Sequence, residues 1–260
     1  MRLKITLEVL PLVSGNILPI SYQYELASAF NRLITSNKEA YEKWLSANGL
    51  QPIDNIRQKV YSISNLYVPK VYVETDRLYV NVPRIQFWVS FLPEVETRSF
   101  LTHQLLDKQF SIGDYKSSVT FKIIAVDDIS PVVFTEIMEY QSISPIVVKA
   151  LRPNNTLDYL SPDNQFFSQF MVEELIDRWE SFYKRSYDGD RAFQFTLLTQ
   201  PRRKAVSIFT DSPRCQKVVG YMLKFRLQLS PVLQEFAYVC GLGDDIGYGF
   251  GYVELLKKKK

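Results

Sequence analysis

Residues 241–251 read GLGDDIGYGFG and hold five of the ten glycines in the chain. They set one G-x-G pair, five residues, and a second G-x-G pair, and run straight into the strand-like stretch Tyr252–Leu256. Glycine reaches positive φ without steric cost and lets another backbone approach closely. The segment is therefore a tightly curved loop, and such a loop can gather several N–H groups around an anion. Its flanks restrict the choice. A dinucleotide-binding turn or a P-loop has a strand before its glycines and a helix after them. Here a helical pattern comes first, a strand follows, and no Gly-Lys-Ser/Thr is present, so the nucleotide-binding readings fail on context.

The periodicity of the remaining chain predicts an α+β protein. Residues 2–10 alternate polar and apolar as a half-buried strand does. A helix is predicted over 22–34, with Leu26, Ala29, Phe30, Leu33 and Ile34 on one face, and a short helical piece over 38–45 ending at Asn48 and Gly49. Strands are expected at 59–68, 71–74, 77–82, 85–91 and 119–126, with a helix over 94–108. The second half gives extended segments at 132–140 and 145–151, a long helix over 163–184, strands at 193–198, 204–209 and 217–227, and a helix from Ser230-Pro231, a cap followed by a first-turn proline, to Gly241. Each half thus runs strand, helix, strands, helix, strand, the β-α-β-β-α-β plan of a ferredoxin-like or RRM-like fold. The expected division is 1–128 for one such domain, 129–256 for a second that carries the loop 241–251, and 257–260 as a solvated lysine tail.

The C-terminal glycine signature running into a last strand resembles that of the CRISPR-associated repeat-RNA endoribonuclease family of the RAMP superfamily. Two more blocks agree in order: Ser144–Leu151 followed by Tyr159–Pro162 and an amphipathic helix, and Leu18–Leu26 at the entry to the first helix. The resemblance covers nearly the whole chain. It implies two tandem ferredoxin-like domains, CRISPR repeat RNA as partner along with other CRISPR-associated proteins, and cleavage that needs no metal or cofactor. In that reaction the ribose 2′-hydroxyl attacks the adjacent phosphate, leaving a 2′,3′-cyclic phosphate and a 5′-hydroxyl. A base, an acid and a cation are required. The resemblance assigns them to a histidine, a tyrosine and a lysine.

At the matching positions this chain carries Ser46 for the histidine and Asn31 for the tyrosine, and keeps Lys59 before the expected strand. A serine hydroxyl is far too weak a base near neutral pH to replace imidazole. Tyr22, Tyr24, Tyr41 and Lys43 lie nearby, and His103, the one histidine of the chain, reads as a half-exposed helix residue. Candidate RNA contacts are Arg202, Arg203 and Lys204 at an expected turn, Lys217, Lys224 and Arg226 along the expected next strand, and the glycines Gly241, Gly243, Gly249 and Gly251. Asp244 and Asp245 sit where related loops carry cations, so packing and RNA contact are equally open readings of that loop. Three functions remain in play: an RNA-processing enzyme with weak cleavage, a guide-RNA-holding protein, and a structural subunit of a ribonucleoprotein.

Composition narrows the classes. A net charge of +3 demands no nucleic acid, so any basic surface must come from placement. One histidine and two distant cysteines, Cys215 and Cys240, exclude a disulfide framework and a zinc site. No apolar run approaches the ~20 residues of a membrane span, and the charged first strand is unlike a signal peptide, so a cytoplasmic location is expected.

Overall fold

The computed structural model describes residues 1–50, 61–210 and 212–256. They divide into two units, one drawn from Met1–Asn55, Asn65–Ser130 and Ser207–Gln216, the other from Ile56–Ser64, Pro131–Val206 and Lys217–Lys260.

The first half of the chain forms β1 (Arg2–Val9), α1 (Pro11–Ser14), β2 (Ile17–Pro19), α2 (Gln23–Ile34), α3 (Lys38–Ala47), β3 (Tyr61–Ile63), β4 (Val71–Glu74), β5 (Arg77–Val80), β6 (Arg84–Phe91), α4 (Thr97–Leu105), β7 (Gln109–Gly113) and β8 (Ser118–Asp128). In the first unit the sheet order is β6-β1-β8-β7, with β1 antiparallel to both neighbours. The alternation read from β1 works as expected: Leu3, Ile5, Leu7 and Val9 are buried, while Lys4, Thr6 and Glu8 take the other face. On the buried face lie α2 through Leu26, Ala27, Phe30 and Ile34, and α4 through Phe100, Leu101 and Leu105. Trp44 of α3 stacks on Phe100 at 4.7 Å and donates its indole N–H to Thr97 Oγ1 at 2.9 Å. That bond satisfies the only polar atom of a buried ring.

The second half forms β9 (Ile137–Ser142), β10 (Lys149–Leu151), β11 (Leu157–Tyr159), α5 (Phe167–Tyr183), β12 (Gln194–Leu197), β13 (Arg202–Ile208), β14 (Gln216–Met222), β15 (Lys224–Gln228), α6 (Pro231–Cys240) and β16 (Val253–Leu255). Its main sheet has the order β12-β15-β9-β16. With α5 between β9 and β12 and α6 between β15 and β16, this is the β-α-β-β-α-β plan, carrying a β10–β11 ribbon and a β13–β14 hairpin as insertions. Ser230 caps α6 by accepting from Leu233 N at 3.4 Å, with Pro231 in the first turn.

Several boundaries differ from the sequence reading. The strand expected over 217–227 is two strands, because Leu223 leaves one ladder to exchange bonds with Ser142: its N–H donates to Ser142 Oγ at 2.8 Å. β14 then pairs with β13, and β15 pairs with β9 and β12. The expected turn at Arg202–Lys204 is the start of β13. Helix α5 begins at Phe167, after a turn in which Asn164 N–H donates to Ser161 O at 2.8 Å. Phe166, the residue before its first turn, is 46% exposed. Among the described residues no helix is long and apolar enough to cross a membrane.

Candidate functional site

Asn31 lies in the third turn of α2, half-buried, and its carbonyl accepts from both the amide and the hydroxyl of Thr35 at 3.1 and 2.8 Å. Ser46 lies on the exposed side of α3, one turn after the exposed Lys43. Lys59 lies outside the described residues. The nearby tyrosines are poor substitutes for a catalytic group. Tyr22 is buried, its hydroxyl accepts from Leu66 N at 3.0 Å, and burial pushes its phenol far above the ordinary range. Burial likewise raises Tyr41, whose ring lies 5.9 Å from Trp44. His103 is exposed on α4, and its Nδ1 lies 2.8 Å from Ser99 O, its own helix backbone. A general base near neutral pH is thus missing from α2 and α3, which contain no histidine.

The glycine loop is a packed connection. Gly241, Gly243, Gly249 and Gly251 are buried and all have positive φ, between 72° and 87°. At Gly243 a Cβ would stand 2.2 Å from Val147 O, so close backbone approach, as well as φ, demands glycine there. The loop spends its amides on this packing: Leu242 N donates to Gly251 O, Asp244 N to Val147 O and Gly251 N to Pro145 O, at 2.7–2.9 Å. Arg178 of α5 donates to Cys240 O and Gly241 O at 2.9 and 2.8 Å, holding the carbonyls at the end of α6. Asp244 and Asp245 are both bound to Lys149. Sequence reasoning missed Arg178 and Lys149. Neither lies within sixty residues of the motif, and no local pattern marks them.

Glu174 of α5 is also part of this cluster. Desolvation pushes its carboxyl up to about 7, against the pull of Arg178, whose Nε lies 3.4 Å away, while Asp244 and Asp177 add to the rise.

The candidate basic residues separate into two groups. Lys224 and Arg226 share the exposed face of β15, but Arg226 pairs with Glu139 at 2.8 Å, and Glu254 lies opposite Gln141 on the same face. Two cations face two carboxylates there. The β13–β14 hairpin differs. Between 202 and 217 the chain carries five basic residues, Arg202, Arg203, Lys204, Arg214 and Lys217, against one acid. Arg202, Arg203, Arg214 and Lys217 are exposed and, among the described residues, lie in no ion pair. Lys204 points to the side of Val206 and Ile208, and desolvation first, then Arg202, draws its ammonium below the ordinary value.

The family model for the C-terminal region of the CRISPR associated protein Cas6 matches residues 128–255. The chain is 27% identical over 253 residues to the CRISPR-associated endoribonuclease Cas6 1 of Methanocaldococcus jannaschii, covering 94% of this chain and 89% of the relative. An endoribonuclease-like protein, Cas6nc, of Pyrococcus horikoshii is 24% identical over 263 residues, covering 98% and 100%. A solved structure described as an RAMP protein binding different RNA substrates shares the fold with a TM-score of 0.79 at 22% identity, covering 99% of this chain and 100% of that one. Family model, relatives and fold agree with one another, and with the order of glycine loop and last strand: this chain carries the C-terminal domain of the Cas6 family over residues 128–255 and is similar along its length to Cas6-like CRISPR endoribonucleases.

Proposed function

We propose that the protein binds CRISPR repeat RNA through the β13–β14 hairpin and serves the processing of precursor CRISPR RNA with little cleavage of its own. The observation that carries the binding half is the set of exposed cations Arg202, Arg203, Arg214 and Lys217 on one hairpin, in no ion pair among the described residues. A phosphate backbone attracts such a cluster whatever its sequence. The relatives support the substrate class, being a CRISPR-associated endoribonuclease and an RNA-binding RAMP protein. Work on this RNA also implies a cytoplasmic location.

The weak-cleavage half rests on Ser46 and Asn31. The 2′-hydroxyl must lose a proton and the 5′-oxygen must gain one, and neither side chain titrates near neutral pH. Lys59, or Lys43 of α3, would supply the positive charge for the phosphorane. The same pair of residues favours a second reading, a guide-RNA-holding protein with no cleavage at all. Incubating the purified protein with repeat RNA from its own genome, in EDTA, tests both. Binding with slow cleavage to a cyclic phosphate supports the first reading, binding without cleavage the second, and absence of binding overturns both.

A further inference from the structure

The first unit carries a cleft of about 290 Å³ between α2, β7 and the tip of the β13–β14 hairpin. We propose that it is a subsite for one unpaired RNA nucleotide, with the phosphate at Arg32 and the base against the Tyr24–Phe209 pair. The proposal rests on the RNA-binding reading above and names where that RNA is gripped beyond the hairpin's charges.

Residues 24, 28 and 32 of α2 are four apart, so they form one stripe along the cleft wall. Tyr24 stands at one end, its ring 4.6 Å from that of Phe209 and tilted by 58°. Arg32 stands at the other end, exposed and, among the described residues, in no ion pair. Its guanidinium leans back along the helix, since Nη1 donates to Ser28 Oγ at 2.9 Å. That lean leaves roughly one helical turn, about 5.4 Å, between the cation and the aromatic end. This is the scale on which a single nucleotide separates its phosphate from its base. The volume lies at the small end of ligand pockets, which fits one nucleotide and excludes a helix.

The hairpin tip is held for this geometry. Phe209 adopts φ of +56°, a left-handed conformation unusual for an aromatic residue. The next residue, Thr210, donates its hydroxyl to Glu25 Oε1 at 3.3 Å, tying the tip to α2. Strained backbone that is held in place by its surroundings is a mark of binding sites. Glu25 also sets the charge of the ligand. Among the described residues the cleft holds one carboxylate, Glu25, and one guanidinium, Arg32, a balance that tolerates a singly charged phosphodiester and repels a free triphosphate. Aromatic side chains and arginine are the usual platform for unstacked RNA bases.

The test uses the full chain and fluorescently labelled repeat RNA carrying 4-thiouridine. Arg32→Ala is expected to weaken binding about tenfold and to lower the salt slope by about one, as loss of one phosphate contact does. Phe209→Leu is expected to weaken binding about tenfold with the slope unchanged. Photo-crosslinks should fall on the peptides that hold Tyr24 and Phe209. Arg32 is on the surface, so its variant keeps the fold and reports on the cleft even if Phe209→Leu is destabilised. Wild-type affinity and slope in Arg32→Ala, with crosslinks elsewhere, would overturn the subsite alone. No binding by the wild type would overturn the RNA reading itself. ATP competing as well as the oligonucleotide would overturn the diester assignment.

Discussion

Asp245 clasps the ammonium of Lys149 with both carboxylate oxygens, at 2.7 and 2.6 Å, while the backbone N–H of the same lysine donates to Asp244 at 2.7 Å. Two acids that look repulsive to RNA in the sequence are therefore fasteners between the glycine loop and β10. Side-chain exposure is 20% for Lys149 and 12% for Asp245, so removing one partner strands a mostly buried charge. Lys149→Met is expected to cost about 2 kcal/mol, and Lys149→Met with Asp245→Asn should recover most of it. Urea unfolding of the two variants checks this.

Gly243→Ala meets two obstacles: φ of +81° and a backbone oxygen 2.2 Å from the new Cβ. The conformation alone costs roughly 1–2 kcal/mol, and the clash adds to it. Gly49→Ala is the control, with φ of +71° and nothing within 4 Å of its Cβ. The difference between their unfolding midpoints measures the closeness of Val147 to the loop.

Glu174 predicts a pH dependence. The folded protein keeps a proton on this carboxyl up to about pH 7, whereas a free one releases it near 4.5. Its contribution therefore favours the fold at low pH and is lost as pH rises through 7. Glu174→Gln should flatten the fall in melting temperature between pH 4.5 and 7, because an amide carries no proton to lose. An unchanged pH profile in the variant would show that the carboxyl is ionised throughout.

For RNA binding, Arg202→Glu with Arg203→Glu should weaken affinity across unrelated sequences and lower the salt slope by about two. Lys224→Glu with Arg226→Glu should do less, since Glu139 already neutralises Arg226. Equal losses from the two pairs in a salt titration would contradict this ranking.

Cleavage should be slow or absent, indifferent to EDTA and unchanged in His103→Ala, whose ring sits on its own helix backbone. Ser46→His should raise the rate, up to about 10²–10⁴-fold if the imidazole reaches the 2′-hydroxyl. Single-turnover assays on labelled repeat RNA give both answers.

The fold was legible where periodicity is local. The alternation of Leu3, Ile5 and Leu7, the apolar stripe of α2 and the Ser230-Pro231 cap each fix an element from a few neighbouring residues. The element order of each half followed, and with it the tandem ferredoxin-like plan. The break at Leu223 was not legible, because its cause is Ser142, 81 residues away. The basic face read from alternation along β15 was incomplete for the same reason: Glu139 reaches Arg226 only through the register of β9 with β15. The cleft on α2 left no trace at all in the sequence, since Phe209 and Tyr24 share no pattern. Charge and contact across strands are decided by register, which single-sequence reading does not supply.

Phe209 and Thr210 complete a unit whose other residues end at Ser130, and Ser62, which donates to Val239 O at 2.8 Å, belongs with the later segments. The gene therefore cannot be divided cleanly at the interdomain joint. A fragment stopping at Ser130 would leave Tyr24 and Glu25 without their hairpin partners, and one starting at Pro131 would leave α6 without the Ser62 hydroxyl. Split-protein designs, limited proteolysis and domain grafting should all treat residues 207–216 and 61–64 as cargo that travels with the opposite half.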